Sequence, residues 1–324
     1  MRAAQVSRLD GPGAVRVVDV PESKAEPGAP YLVDVHCVGI SFPDLLLSKG
    51  EYQLKPELPF TLGVDFAGVV RAAPESGSLA VGQRVAGVLP YGAGAEVVAV
   101  GEENTFALPD TMSFEQGAAL PMNYLTAEFA LVKRAALRAG ETVLVHGGAG
   151  GVGTATTQVA NGLGARTIAV VSTEEKADFA KRAGAAEAVL TDGFLGRVLE
   201  ATEGRGVDVV VDVVGGELFT DSLRALAPLG RLLVVGFTAG GIPEVRVNRL
   251  LLNNIDVRGV GWGAYAMVRP GFMQQQWRRL VPMMTSGAVD PPLGSAYPLA
   301  EIGAALTEME ARRSLGKTVI SLRG

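Results

Sequence analysis

Short apolar runs separated by Gly and Pro fill the first 120 residues. Segments 14–20, 31–38, 66–71, 84–88 and 95–100 carry the alternating or fully apolar pattern of β-strands. The opening Met1-Arg2-Ala3-Ala4-Gln5-Val6 alternates in the same way. Strands at such close spacing predict an antiparallel, barrel-like domain. A helical stretch follows, with Ser113 as N-cap before Phe114-Glu115-Gln116 and an apolar helix over 124–137. From Glu141 the period changes. Strands at 142–146, 167–171, 188–190, 207–213 and 231–235 alternate with helices at 152–163, 174–183, 195–202 and 217–226. The run 207–214, Val-Asp-Val-Val-Val-Asp-Val-Val, is apolar on both faces, as a buried parallel strand requires. This order predicts a doubly wound sheet with its ligand at the carboxyl ends of the strands. After a strand at 255–260 the alternation stops, and helices near 271–286 and 299–312 lead to a strand at 318–322. The chain therefore divides into a catalytic domain at 1–120, a dinucleotide-type domain at 121–264 and a return to the first domain at 265–324.

Composition narrows the functional classes. Of 324 residues, 48% are hydrophobic and 19% charged, the balance of a well-packed globular protein. The 42 glycines follow no Gly-x-y period, so the excess belongs to turns and close backbone approaches. A net charge of -5 with scattered Lys and Arg offers no footprint for nucleic acid. No apolar run reaches the roughly 18 residues of a spanning helix, and no signal-peptide core opens the chain. A cytoplasmic protein with no membrane partner is expected. The single cysteine, Cys37, precludes an internal disulfide and a Cys-rich zinc site, and reads as a buried structural thiol.

The segment from Leu144 to Thr154 carries the strongest chemical signal. Gly148, Gly150 and Gly153 satisfy G-x-G-x-x-G after a strand and at the start of a helix. The first glycine allows a tight turn, the second admits a pyrophosphate, and the third permits close helix–strand packing. With Ala149, Gly151 and Val152, the turn aims helix N-terminal amides at the phosphates. His146 reads as a strand-end packing residue. The next strand ends at Ser172, where an NAD site usually places an acid. A hydroxyl there can donate to a 2′-phosphate and Lys176 can neutralise it, which favours NADP as the cofactor. The same two residues can also serve as a helix N-cap and a solvated helix residue.

These features, with Gly63-Val64-Asp65-Phe66-Ala67-Gly68-Val69-Val70, Gly82-Gln83-Arg84-Val85, residues 206–216 and 230–237, and Gly316-Lys317-Thr318-Val319, resemble the medium-chain dehydrogenases/reductases. The closest likeness is to the zinc-free quinone oxidoreductase (zeta-crystallin-like) branch. The resemblance implies an α/β fold: a GroES-like partly open β-barrel catalytic domain plus a Rossmann doubly wound parallel-sheet domain, with the active site in the cleft between them. It also implies a homodimer paired along the 255–260 strand, with a tetramer as the alternative.

Zinc-dependent relatives use a Cys where Ser41 stands and Gly-His-Glu where Gly63-Val64-Asp65 stands, so no metal is expected. Without a Lewis acid, the compatible reaction transfers hydride from NADPH to a quinone or other conjugated carbonyl. An enoyl-thioester or alkenal/enone reductase is the alternative, and a noncatalytic NADPH-binding protein a third reading. The resemblance places Ser41, in the first barrel loop, near the nicotinamide, with Asp44 as the acid that holds that loop. Tyr52 matches a tyrosine that supports protonation in enoyl-thioester reductases, and Asn123 and Thr126 line the nicotinamide pocket. Gly236 and Phe237 approach the nicotinamide ribose, Trp262 and Gly263 wall the substrate pocket, and Lys317 reaches the cofactor. Rim packing for Tyr52, a surface position for Lys317 and a loop hydroxyl for Ser41 are the structural alternatives.

Overall fold

Alternation at the N-terminus becomes strand β1 (Arg2–Val6), which buries Ala3, Ala4 and Val6. It pairs antiparallel with β2 (Val15–Asp19). The long β3 (Tyr31–Gly39) alternates buried and half-buried residues before its apolar end. In the computed structural model, which describes residues 1–323, the chain then forms helix α1 (Phe42–Lys49) where a barrel loop was expected. Ser41 is its N-cap in extended backbone, and Gly50 ends it at φ 67°, a left-handed conformation suited to glycine. Strands β4 (Phe60–Thr61), β5 (Asp65–Ala72), β6 (Arg84–Val88), β7 (Val97–Val100) and β8 (Thr105–Ala107) follow. β4 adds to β1, while β3, β5, β6 and β8 pair antiparallel in series and β7 pairs with β3. Helix α2 (Phe114–Ala119) starts at Ser113, whose hydroxyl accepts the Gln116 N–H at 3.2 Å, as the cap signal predicts. These elements belong to the first of two compact units, Met1–Met122 with Pro270–Val281 and the residues from Pro291 onward.

The second unit comprises Asn123–Arg269 and Pro282–Asp290. Helix α3 (Pro121–Glu128) runs into a π-helical stretch, Phe129–Ala135, which stops at Ala136 with φ 50°. The expected single helix is thus two pieces. Strands β9 (Thr142–His146), β10 (Arg166–Val171), β11 (Glu187–Leu190), β12 (Val207–Asp212), β13 (Leu226–Val234) and β14 (Asp256–Gly259) form one parallel sheet in the order β11-β10-β9-β12-β13-β14. That is the Rossmann order, with the reversal between β9 and β12. Helices α4 (Gly151–Gly162), α5 (Glu174–Arg182), α6 (Phe194–Ala201) and α7 (Leu218–Arg224) form the crossovers. Strand residues Leu144, Ile168, Val170, Val210 and Leu232 make the sheet's part of the core and are inaccessible to solvent. The stretch between β13 and β14 contains the short α8 (Asn248–Asn253).

After α9 (Trp262–Ala266), helix α10 (Phe272–Thr285) carries Pro282 inside it. Residues 282–290 group with the second unit, so the return to the first unit is not one block from 265. Gln158 explains the grouping: its amide donates to the Asp290 carbonyl at 2.7 Å and accepts the Asp290 N–H at 3.0 Å. Strand β15 (Leu293–Pro298), α11 (Ile302–Glu310) and β16 (Lys317–Ser321) then rejoin the first unit. There β16 pairs antiparallel with β3 and parallel with β15. Among the described residues, no helix is long and apolar enough to cross a membrane.

Candidate active site

The glycine turn lies at the carboxyl end of β9, the strand that pairs with both β10 and β12. Gly147 supplies the left-handed step at φ 64°. A Cβ on Gly148 would meet Ala169 Cβ at 2.5 Å, so this glycine serves strand packing and the sharp turn falls one residue earlier than expected. A Cβ on Gly153 would lie 2.2 Å from the Gly147 carbonyl oxygen, the close helix–strand approach predicted for the third glycine. A Cβ on Gly150 would find nothing closer than that oxygen, at 3.4 Å. Space beside Gly150 is therefore open, as a position approached by a ligand requires. Gly150 is the N-cap of α4, and the amides of Gly151, Val152 and Gly153 form its first turn, where no intrahelical acceptor exists. Those amides and the positive end of the helix dipole suit an anion. Ala149 is buried at the turn.

At the carboxyl end of β10, Lys176 Nζ donates to Ser172 Oγ at 3.2 Å, so the two predicted phosphate ligands stand together on an exposed strand tip. Thr173, not Ser172, caps α5, accepting the Lys176 N–H at 3.3 Å. The Ser172 hydroxyl is thereby spared a capping duty. Gly236 and Phe237 follow β13. The Gly236 N–H reaches the Asp212 carbonyl at 3.4 Å, and Phe237 packs so near Gly215 that a Cβ there would lie 2.9 Å from its ring. Asn123 and Thr126 lie on α3, 5% and 8% exposed. The Asn123 amide sits against Gly151. His146 is buried, 2.8 Å from Ser222 Oγ and edge-on to Phe194, with burial lowering its pKa. It packs the strand end, as expected. Trp262 is buried, while a Cβ on Gly263 would meet open space.

The first unit holds a buried charged cluster. Lys317 is neither on the surface nor extended: it is 3% exposed, with Nζ 2.5 Å from Asp65 Oδ2 and 2.6 Å from Ser41 Oγ. Ser41 donates its one hydroxyl proton to Asp65 Oδ2 at 2.9 Å. Its oxygen can therefore only accept. Asp65 Oδ1 takes the Met122 N–H at 2.8 Å. Gly39 makes room for this arrangement, because a Cβ there would lie 2.6 Å from Lys317 Cε and 2.0 Å from the Ala118 carbonyl oxygen. Burial lifts the Asp65 carboxyl above its usual range, opposed by Lys317, the Met122 N–H and the Ser41 hydroxyl.

Asp44, fully buried beside this cluster, accepts the Ser41 N–H at 2.8 Å and the Gly63 N–H at 3.1 Å. It holds the start of α1, the structural duty expected of it. Desolvation, aided by the Asp65 charge, pushes its pKa up to about 7. Tyr52 is partly buried and packs on the first unit's core, with burial raising its phenol pKa. Asp65 was not singled out as a functional residue from sequence. The available signal was a charge inside the apolar run Leu62-Gly63-Val64-Asp65-Phe66-Ala67.

These donors do not fit a zinc ion. An ammonium occupies the Asp65 and Ser41 oxygens, and burial pushes the Cys37 thiol up to about 12. His36 stacks on Phe114, and His146 is bonded to Ser222. Among the described residues, no three His, Cys, Asp or Glu side chains come together as a metal-binding group.

Residues 28–110 match the alcohol dehydrogenase GroES-like domain and residues 151–286 the zinc-binding dehydrogenase domain. The chain is 36% identical over 323 residues to a quinone oxidoreductase of Pseudomonas aeruginosa, with 98% of each chain covered. Its structure is similar to that of a probable oxidoreductase from Mycobacterium abscessus, with a TM-score of 0.91, 41% identity and 99% of each chain covered. A mycobacterial protein solved in complex with NADPH superposes with a TM-score of 0.90 at 34% identity, covering 99% of this chain and 100% of the other.

Proposed function

This chain belongs to the quinone oxidoreductase branch of the medium-chain dehydrogenases/reductases, and we propose that it is an NADPH-dependent reductase of quinones or other conjugated carbonyl compounds. The observation that carries the reading is the first turn of α4: unpaired amides at 151–153 beside the open face of Gly150, with Ser172 and Lys176 paired at the end of β10. The amides fit a pyrophosphate, and the hydroxyl–ammonium pair fits a 2′-phosphate where an acid would repel it. NADPH, when bound, supplies a hydride. Each hydride delivered to a quinone is matched by one proton, giving the hydroquinone. Such acceptors delocalise the charge themselves, so the reading requires no zinc, in line with the misfit of the donors above.

The residues of the chain supply orientation and exclusion of water. Ser41 is proposed as an acceptor-side hydroxyl and Lys317 as the group that fixes it, in place of the direct cofactor contact implied by the resemblance. Thr126, Gly236 and Phe237 are proposed on the nicotinamide side. Tyr52 favours a second reading, reduction of an alkenal or enoyl thioester, because its partly buried phenol stays protonated and can hold the proton such a product needs. We also propose a homodimer through β14. This strand is an edge of the parallel sheet, and Leu251 and Leu252 beside it are 76% and 74% exposed. An unpaired edge next to exposed leucines suits a two-fold pairing of identical strands.

The test follows NADPH oxidation with 1,2- and 1,4-quinones, alkenals and a short enoyl-CoA in parallel. The active case is repeated with NADH and with a chelator. Turnover of quinones that survives chelation is expected. Loss of rate on chelation would overturn the zinc-free reading, and equal efficiency with NADH would remove the roles given to Ser172 and Lys176. NADPH binding without reduction of any acceptor would identify a noncatalytic binding protein.

A further inference from the structure

Asn123 is a largely buried residue whose amide lies against the start of α4. The residue is 5% exposed and no side-chain hydrogen bond is made by it among the described residues, but its amide atoms are not among the sealed, unsatisfied ones, so the group still reaches solvent. A polar donor that reaches solvent without a protein partner can serve a ligand, and its surroundings point to one. The nearest atom to an imagined Cβ on Gly151 is Asn123 Nδ2, at 2.4 Å, with the amide carbon and oxygen next. The amide thus lies over the first residue of α4, a 12-residue helix whose N-terminal amides are themselves unpaired. Gly151 needs no glycine torsion, since its φ is not positive, but any side chain there would displace Asn123. Asn123 and the turn lie in the same compact unit.

From this juxtaposition we infer that Asn123 is a cofactor-binding residue whose carboxamide donates to the pyrophosphate, alongside the amides of residues 151–153. The inference rests on the reading of residues 148–153 as an NADPH site, and it moves Asn123 from the nicotinamide pocket to the phosphates. A neutral side-chain donor at a helix N-terminus adds a charge-assisted bond without competing with the helix dipole. Its two N–H groups can serve one anionic oxygen each.

The test compares wild type with Asn123→Ala by calorimetric binding of three compounds. NADPH carries everything. Adenosine 2′-phosphate 5′-diphosphate keeps a diphosphate but has no nicotinamide or second ribose. Adenosine 2′,5′-bisphosphate has no diphosphate. Asn123→Ala is expected to weaken NADPH and the diphosphate by the same factor, about tenfold, and to leave the bisphosphate unchanged. Its melting temperature without ligand should stay close to that of wild type, because the substitution breaks no hydrogen bond within the protein.

Failure of wild type to bind NADPH would overturn the cofactor reading itself. If wild type binds and the variant binds the diphosphate equally well, only this inference falls. Weakening confined to NADPH would return Asn123 to the nicotinamide end. A lowered melting temperature would assign it a structural role.

Discussion

Two glycines of one motif, three residues apart, should fail in opposite ways when given a methyl group. In Gly153→Ala the new Cβ would stand 2.2 Å from the Gly147 carbonyl oxygen and 2.8 Å from Gly148 Cα. Both are backbone atoms of the turn and cannot rotate aside. The first turn of α4 must therefore lift from β9, and overpacking of this kind costs typically about 1–3 kcal/mol. Alanine's better helix propensity returns at most about 1 kcal/mol. A 2.2 Å approach to backbone puts the overpacking cost in the upper part of its range, so a net destabilisation of roughly 1–2 kcal/mol follows, together with weaker NADPH binding. In Gly150→Ala the only neighbour lies at 3.4 Å, and the backbone at φ -88° and ψ 175° is open to any residue. Stability should change by less than about 0.5 kcal/mol, since the N-cap loss and the stiffer unfolded chain nearly cancel. NADPH affinity should nevertheless fall at least about tenfold, because the methyl projects into space assigned to the phosphates. Urea unfolding without ligand, paired with NADPH titration, separates the two outcomes. A Gly153→Ala protein as stable as wild type would refute the packing argument. Gly150→Ala with undiminished NADPH affinity would refute the assignment of the open face.

Lys317→Met leaves the Asp65 carboxylate buried without its counter-charge and should cost about 3–5 kcal/mol in urea unfolding. Asp65→Asn/Lys317→Met should recover part of that loss; equal stability of Lys317→Met and wild type would contradict the burial of the pair. For Asp44, with pKa raised from 3.8 to about 7, the folded state holds its proton more tightly than the unfolded state. Its contribution is complete below about pH 4 and drains away as pH rises to about 7, by roughly 4 kcal/mol. Asp44→Asn cannot accept both the Ser41 and Gly63 N–H groups, so it should be the weaker protein at pH 4, with the gap to wild type closing by pH 8; a pH-independent gap would contradict the shift. Leu251→Asp/Leu252→Asp should convert the proposed dimer to a monomer by light scattering without lowering the melting temperature of the monomer. A monomeric wild type would end the β14 pairing.

Local patterns made the second unit readable. Its strands are contiguous apolar runs, each followed within the chain by its crossover helix, and the sheet order follows from that alternation. The phosphate turn was legible because glycine is demanded there by backbone contact: Gly153 touches the turn it packs on. The division of labour within the turn was less legible, since Gly147 and Gly148 are chemically alike and only geometry separates a left-handed torsion from a crowded Cβ. Helix α1 was missed although Ser41 and Asp44 carry a cap-like spacing and Gly50 a stop, because the resemblance placed Ser41 in a barrel loop. The Asp65–Lys317 pair had no local signature. Its members are 252 residues apart, and each is the first residue of its strand. Only the pairing of β16 with β3 brings the ammonium to the carboxylate.

That pairing has a consequence for the order in which the protein can be made. The ribosome delivers Ser41 and Asp65 early, but the lysine that donates to both and neutralises Asp65 emerges only after the whole of the second unit. The nascent first unit must wait with a carboxylate bound for its interior and with β3 paired to β5 and β7 but lacking β16. The second unit, contiguous but for residues 282–290, can close its six-stranded sheet as soon as β14 has left the tunnel. The N-terminal part of the chain is therefore synthesised first and finished last, when the returning β15, α11 and β16 arrive.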